Sequence, residues 1–279
     1  MLVSDPIEKI DLGAPTVLEF KGPDAVRFLN GQTTQDIRLL AGEKISLPSC
    51  VTDAKGRLQF RVHLTAVAAD AVWVTGPAEW REALAARLTR YLIADEVELS
   101  DLTGMFRLIH LTGQLASVPA GVIARLSHRY GVAGMDWWLP TALEIENFPN
   151  LLDPEAFRIS HGIPAWGSEL TAGMLPPEAR LEATDISYQK GCYIGQEVIS
   201  RVKSAGKVNR YLTKFALPPE PIFSIGNLLD STGKVSGELT SISSQITDGS
   251  RPALGYIKRD SIEYFLPDKN GISHALRTV

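Results

Sequence analysis

Hydrophobic and polar residues alternate over residues 46–64, and this period of two predicts strands with one buried face. The turn-forming sequence at 53–56 separates two such runs, so we predict a β-hairpin. The second run places Arg57, Arg61 and His63 on its other face. We favour a solvated face for these three side chains, and a cationic wall is the alternative.

Three segments have the helical period, with apolar residues three or four positions apart, and lie at residues 23–30, 79–92 and 154–159. In the second segment the arginines, Arg87 among them, are predicted mostly on the outside.

Further strands are predicted at 72–75, at 106–111 and, as short strands, within 119–146. Trp137 and Trp138 are neighbours, so on a strand they point to opposite faces; either one of them stacks on a flat ligand or both belong to the core. This order of elements predicts an α+β fold rather than a doubly wound parallel sheet. No glycine-rich fingerprint follows a predicted strand, which argues against Rossmann and P-loop enzymes.

After Gly206 the pattern changes to short alternating strands separated by closely spaced glycines. Such spacing is typical of a small β-barrel. We therefore predict two domains, residues 1–205 as a core of two interleaved α+β subdomains and residues 206–279 as a C-terminal β-barrel.

The composition is that of a soluble globular protein, with 44% hydrophobic and 22% charged residues. A net charge of -4 argues against a dedicated polyanion binder, so no direct nucleic-acid partner is expected. Residues 1–6 lack the features of a secretory signal, and no apolar run approaches a membrane span. We expect a cytoplasmic protein without a membrane partner, with Cys50 and Cys192 both reduced.

Residues 190–197 read Lys-Gly-Cys-Tyr-Ile-Gly-Gln-Glu and predict a tight loop that leads into a short helix. Glu197 lies where a helix N-terminus favours an acid. A thiol just before a helix, with Lys190 two residues away, is favoured as the thiolate, which is the nucleophile and metal ligand. The alternative is that Cys192 is a small packed residue.

This octapeptide, together with Gly-Lys-Val-Asn-Arg at 206–210, resembles the signature of the YgfZ family of folate-binding proteins, relatives of the glycine-cleavage T-protein, an aminomethyltransferase. Arg-x-x-x-Gly-Ile-Pro at 158–164 and Pro-x-Glu at 176–178 occur in the same order as in that family. Phe-Leu-Asn-Gly-Gln-Thr-Thr at 28–34 and Asp-Ala-Lys-Gly-Arg at 53–57 resemble its N-terminal motifs. The resemblance implies a T-protein-like core of interleaved subdomains with a C-terminal barrel, and tetrahydrofolate as the cofactor.

A folate site needs an apolar slot, polar groups for the pterin edge and cations for the carboxylates. The catalytic candidates are Cys192 and Lys190. The cofactor-binding candidates are Gln32, Glu178, Tyr193, Gln196, Glu197, Arg201 and Arg210, with Lys207 as a further cation. No metal site is predicted, because the histidines are scattered and one cysteine does not supply the four thiolates of a typical cluster.

The resemblance also implies the function. T-protein carries an acidic pair at the positions that align with Phe60 and Arg61, so aminomethyl transfer is disfavoured. The leading hypothesis is a tetrahydrofolate-binding accessory protein that supports assembly or repair of iron–sulfur enzymes, including tRNA-modifying ones, through Cys192. Its partners are then folate and iron–sulfur client proteins. The alternatives are a folate-dependent aminomethyl or other one-carbon transferase, and a thiol-based interaction protein with a vestigial folate site.

Overall fold

The computed structural model describes residues 7–113, 117–144, 149–151, 153–206, 208–268 and 270–279. The N-terminal residues 1–6, part of the predicted strand region 119–146, and Lys207 lie outside the described residues. No helix within the described ranges is both long enough and apolar enough to cross a membrane.

Four α-helices are described. They are α1 (Ala25–Gln32), α2 (Arg81–Thr89), α3 (Pro154–Ser160) and α4 (Gln196–Ala205). The helices predicted at 23–30, 79–92 and 154–159 correspond to α1, α2 and α3, and the helix predicted after the cysteine corresponds to α4. A 3-10 turn, Ala78–Trp80, precedes α2.

Sixteen strands are described, and most are short. In chain order they are β1 (Lys9–Asp11), β2 (Thr16–Lys21), β3 (Ser46–Thr52), β4 (Leu58–Ala68), β5 (Ala71–Gly76), β6 (Glu98–Asp101), β7 (Phe106–Leu111), β8 (Ile123–Ser127), β9 (Gly134–Pro140), β10 (Arg210–Leu217), β11 (Gly226–Leu229), β12 (Val235–Ile242), β13 (Arg251–Lys258), β14 (Phe265–Pro267), β15 (Ser273–Ala275) and β16 (Arg277–Thr278).

The contacts divide the chain into two compact units, each built from two stretches of sequence. The first unit comprises Met1–Leu152 and Ala183–Gln196, and the second comprises Asp153–Glu182 and Glu197–Val279. The division into domains at residues 205 and 206 stays a prediction.

The first unit contains two antiparallel sheets, ordered β3-β4-β5-β2-β6 and β1-β7-β9-β8. The predicted hairpin is confirmed, since β3 pairs with β4 from Ser46 opposite Thr65 to Thr52 opposite Leu58. On β9, Trp138 packs edge-on against Trp73 at 5.6 Å, whereas Trp137 belongs to a separate apolar cluster. Both tryptophans of β9 are buried, so they serve the core and neither offers a stacking surface.

The prediction of a solvated second face on β4 is wrong for two of its three residues. Arg61 donates from Nε to Asp185 Oδ2 at 2.7 Å, and the Asp185 side chain is fully buried. His63 is 9% exposed, and its Nδ1 lies 3.1 Å from Nη1 of Arg129. Only Arg57 is exposed as expected. Alternation identifies a face of a strand, but residues distant in the chain cover this one.

The second unit contains a seven-stranded sheet, ordered β15-β14-β11-β12-β13-β10-β16. The two end strands of this order follow each other in the chain, with β15 paired to β14 and β16 paired to β10. The sheet is therefore nearly closed, which confirms the predicted barrel. Its core is the apolar cluster formed by Phe215, Leu217, Phe223, Leu228, Leu239, Ala253, Ile257, Tyr264 and Leu266.

Candidate functional site

The cysteine loop, residues 190–195, is fixed to the first unit by hydrogen bonds at Ile194. The Ile194 amide donates to the Gly31 carbonyl at 3.1 Å, and Thr52 Oγ1 donates to the Ile194 carbonyl at 2.6 Å. The next residue, Gly195, has a φ of +88°, and a Cβ there would lie 2.5 Å from the Asp53 carbonyl oxygen. Only glycine combines that backbone angle with that close approach. The loop is thus seated on the turn of the β3–β4 hairpin.

The two cysteines have opposite environments, although both are free. Cys192 is exposed on its loop, and Cys50 is completely buried in β3. Burial raises the pKa of the Cys50 thiol well above its ordinary value, and the Asp185 charge adds to the effect. A thiol must be accessible and ionised to react, so Cys192 is the candidate for chemistry.

Lys190 is buried, at 5% exposure, rather than displayed beside the thiol. Its Nζ donates to the carbonyls of Thr33 at 2.7 Å and Gln35 at 2.6 Å. Burial lowers the pKa of Lys190 to about 7, against the opposing effect of the Asp36 carboxylate. A substantial fraction of this amine is therefore neutral near pH 7. Its action on the Cys192 thiol stays a prediction.

Tyr193 is also packed, at 7% exposure, with Lys190 Nζ 5.2 Å from its ring centroid. Its hydroxyl is buried and has no hydrogen-bond partner among the described residues. Burial raises the pKa of Tyr193. The ring is therefore packed inside the first unit next to Lys190. Its contact with folate stays a prediction.

We expect Tyr193→Phe to leave the free energy of unfolding unchanged or to raise it, because the hydroxyl it removes is buried without a partner. Tyr256→Phe is the matched control, since the Tyr256 hydroxyl donates to the Glu169 carbonyl at 2.8 Å. That variant should lose about 1 kcal/mol. Urea denaturation of both variants measures the difference. An equal loss in both would show that the Tyr193 hydroxyl has a partner.

Gln32 and Gln196 complete the predicted residues of the first unit. Gln32 ends α1, is 7% exposed, and accepts through Oε1 from Nη1 of Arg87 at 3.1 Å. Gln196 begins α4 and is half-buried. Arg87 was predicted mostly outside but is half-buried and points inward. The helical period of α2 alone does not identify its role.

The second unit holds the remaining candidates, in two separate pairs. Arg210 donates from Nε to Glu178 Oε2 at 2.8 Å and lies over the Tyr256 ring at 4.5 Å. Arg201 and Glu197 form an exposed pair on α4 at 2.7 Å, with Glu197 in the first helical turn as predicted. Their roles as folate contacts stay predictions.

Sequence reasoning missed Glu182, the last residue of the stretch Asp153–Glu182. Its Oε2 is buried and has no hydrogen-bond partner among the described residues. A buried carboxylate oxygen without a donor is costly, and such an atom indicates a ligand that supplies the donor. Nothing in the spacing of the sequence signals this, because only the three-dimensional surroundings leave the oxygen unpaired.

The sequence also did not predict a buried series of connected polar side chains in the first unit. The Asp136 carboxylate accepts from His110 Nδ1 at 2.8 Å and from Arg129 Nη2 at 2.7 Å, and Arg129 also contacts His63. Burial alone would raise the pKa of Asp136, but Arg129 and His110 outweigh it and hold the pKa well below its ordinary value. Burial, helped by the Arg129 charge, lowers the pKa of His63 well below its ordinary value. In the part of the chain that is described, no group of three or more metal-binding side chains is arranged around a point.

Comparison with known proteins identifies proteins of similar sequence and a solved structure of similar fold. No protein-family model matches the chain. The chain is 27% identical over 239 residues to the tRNA-modifying protein YgfZ of Sodalis glossinidius, covering 74% of this chain and 70% of that protein. It is 24% identical over 241 residues to an uncharacterized protein of Haemophilus influenzae, covering 83% of each.

Among solved structures, the glycine cleavage system aminomethyltransferase T from Bartonella henselae has a TM-score of 0.80 to this chain at 18% identity. The match covers 98% of this chain and 85% of that one. At this identity the likeness shows a common fold, and it confirms the predicted T-protein-like α+β architecture.

Proposed function

We infer that this chain, which belongs to a YgfZ-like and T-protein-like family, binds tetrahydrofolate and supports tRNA modification. The finer proposal is an accessory role in the assembly or repair of iron–sulfur enzymes, acting through Cys192. Relatives named as tRNA-modifying proteins and the T-protein fold support the general role. The exposed thiol on a fixed loop supports the finer one.

The observation that carries folate binding is the unpaired Glu182 Oε2. The pterin edge of a folate presents neighbouring N–H donors, and a carboxylate is a strong acceptor for such groups. The residues present therefore fit the cofactor. Bound folate would supply one-carbon carrier chemistry, while Glu182 would orient the pterin and the predicted cations Arg201 and Arg210 would hold its carboxylates.

We expect Glu182→Gln to weaken tetrahydrofolate binding by about tenfold or more, because a hydrogen bond to a charged acceptor is lost. Isothermal titration calorimetry measures the dissociation constant. Glu155→Gln is the matched control, since the Glu155 side chain is 61% exposed. No heat with the unaltered protein would remove folate from the function, whereas equal affinity in Glu182→Gln would remove only this contact.

The thiol is proposed to act transiently, because one cysteine does not supply the ligand set of a cluster. Its exposed position allows contact with a client protein or its iron. Thr52 and Gly31 hold the loop that presents it, through their bonds to Ile194.

For Cys192→Ala we expect normal folding and folate binding, but no restoration of iron–sulfur enzyme activity in a deletion strain under oxidative stress. Cys50→Ala changes the other cysteine, which is buried, and should restore activity to the extent that it folds. Enzyme activity in extracts of the complemented strains is the measurement. Full complementation by Cys192→Ala would make the thiol structural.

An aminomethyltransferase of the T-protein type is the second candidate, and the fold favours it. Its chemistry requires a carboxylate where this chain has Phe60 and Arg61. Phe60 packs edge-on against Trp80 at 5.3 Å, and Arg61 is bound to the buried Asp185. The Asp185 carboxylate is thus occupied by a cation and sealed from solvent, so it does not replace the missing acid and the accessory role is the stronger proposal.

A further inference from the structure

Arg87 of α2 connects three other elements of the first unit through three neutral acceptors. Nε donates to Gln59 Oε1 at 2.5 Å, Nη1 to Gln32 Oε1 at 3.1 Å, and Nη2 to the Thr52 carbonyl at 2.7 Å. The guanidinium also lies 5.0 Å from the ring centroid of Tyr91. Arg87 is thus held between α1, β3 and β4.

These bonds fix the orientation of two side-chain amides. A guanidinium has donors only, so Gln32 and Gln59 must both turn their carbonyl oxygens toward Arg87. Their NH2 groups are consequently directed away from it. Neither NH2 group donates to another described residue. Two amide donors without a hydrogen-bond acceptor among the described residues therefore belong to the same cluster of side chains as one cation.

The charge of Arg87 is not balanced by an ion pair. No carboxylate in the described parts of the chain forms a salt bridge with it. Asp53 is the acid that acts on it electrostatically, but Asp53 Oδ1 already accepts from the amides of Lys55 and Arg57. Burying a guanidinium against neutral acceptors alone is costly, and an anionic ligand would remove that cost.

We propose that Arg87, Gln32 and Gln59 form a recognition site for a carboxylate group. The cation supplies the charge, and the two oriented NH2 groups supply hydrogen bonds to the carboxylate oxygens. The ligand is a free dicarboxylic acid, because the cations proposed for the carboxylates of folate are Arg201 and Arg210. The site does not depend on the proposed function, because this ligand requires no folate.

The direct test follows the side-chain NH2 signals of Gln32 and Gln59 by NMR while glutarate is added, with neutral glutaramide as the matched probe. We expect glutarate to shift both signals in a saturable manner and glutaramide to leave them in place. No shift with glutarate, or equal shifts with both compounds, would overturn the proposal.

Variants separate recognition from a purely structural clamp. Arg87→Met should weaken glutarate binding by about tenfold or more. Arg90→Met, which changes an exposed arginine near the same Tyr91 ring, should leave it unchanged. Gln32→Glu gives Arg87 a carboxylate partner, so it should raise the melting temperature and abolish glutarate binding. If Arg87 has only a structural role, Gln32→Glu should raise the melting temperature in the same way but leave any glutarate binding unchanged. This variant therefore decides the question if Arg87→Met fails to fold.

Titration of Arg87→Met with tetrahydrofolate separates this site from the proposed folate site. We expect the affinity for tetrahydrofolate to be unchanged while glutarate binding is lost. An equal loss of affinity for both compounds would overturn the assignment to a free acid. If the unaltered protein binds glutarate but not tetrahydrofolate, the proposed function fails and this site stands.

Discussion

Replacing Asp136 with asparagine is expected to lower the free energy of unfolding of the first unit by about 3–5 kcal/mol. The Asp136 carboxylate is completely buried and accepts from both His110 and Arg129. Asparagine offers only one acceptor oxygen, so its NH2 group would face a donor. Arg129, whose side chain is 15% exposed, would also lose its countercharge.

Urea denaturation followed by tryptophan fluorescence measures this loss, since Trp137 and Trp138 lie in β9 beside Asp136. Asp101→Asn is the control, because Asp101 pairs with Arg81 at the surface, where the two side chains are 34% and 54% exposed. It should change the unfolding free energy by less than about 1 kcal/mol. Equal losses in the two variants would contradict a buried ion pair at Asp136.

The buried contacts of Asp136 also predict that the stability of the protein depends on pH. The folded-state pKa of Asp136 lies below its unfolded value, so its stabilising contribution is present above about pH 4 and is lost as the pH falls toward the folded value. When the pH is lowered from about 5 to about 3, the free energy of unfolding should therefore fall more for the unaltered protein than for Asp136→Asn. Parallel stability curves would show that Asp136 does not titrate in this way.

Glu169→Gln should have an effect of similar size, about 3–5 kcal/mol, on the second unit. The Glu169 carboxylate is buried and accepts from the Arg158 guanidinium at 2.9 Å, the Ala165 amide at 3.0 Å and the Ser241 hydroxyl at 2.6 Å. Thr240 Oγ1 donates to it as well, at 2.8 Å. Every oxygen is thus occupied by donors, and an NH2 group in its place would oppose one of them.

Glu155→Gln is the matched control, because Glu155 binds the same Arg158 from the surface. Its loss should be below about 1 kcal/mol. Hydrogen exchange of the β12 and β13 amides reports on this unit separately from the other. Protection that is unchanged in Glu169→Gln would show that this network does not support the barrel.

Much of the fold followed from the pattern of the sequence. The alternation over residues 46–64 predicted the β3–β4 hairpin, and the spacing of glycines after Gly206 predicted the nearly closed sheet. The hairpin and the individual strands of the barrel are local features, because each strand lies next to its turn in the chain, whereas closure of the sheet pairs Phe215 with Thr278. Local patterns carry such elements well.

The environment of the site did not follow in the same way. Lys190 was expected to act on its neighbour Cys192, yet its hydrogen bonds go to Thr33 and Gln35, more than 150 residues earlier. Arg61 was expected in solvent, and Asp185, 124 residues later, covers it. Period and propensity describe which face a side chain occupies, but they contain no information on what a distant segment places there.

The division of the chain into four alternating stretches affects how it is made. On a ribosome the N-terminal stretch emerges first. The Thr33 carbonyl, however, accepts from Lys190, and the Thr34 carbonyl accepts from the Ser187 amide. The Thr34 hydroxyl donates to the Asp185 carbonyl. These polar groups of the first unit can therefore be paired within the protein only after the stretch Ala183–Gln196 has been made. The segment that carries Cys192 is thereby the last stretch of the first unit to be translated, so its thiol is displayed only once the translation of that unit is complete.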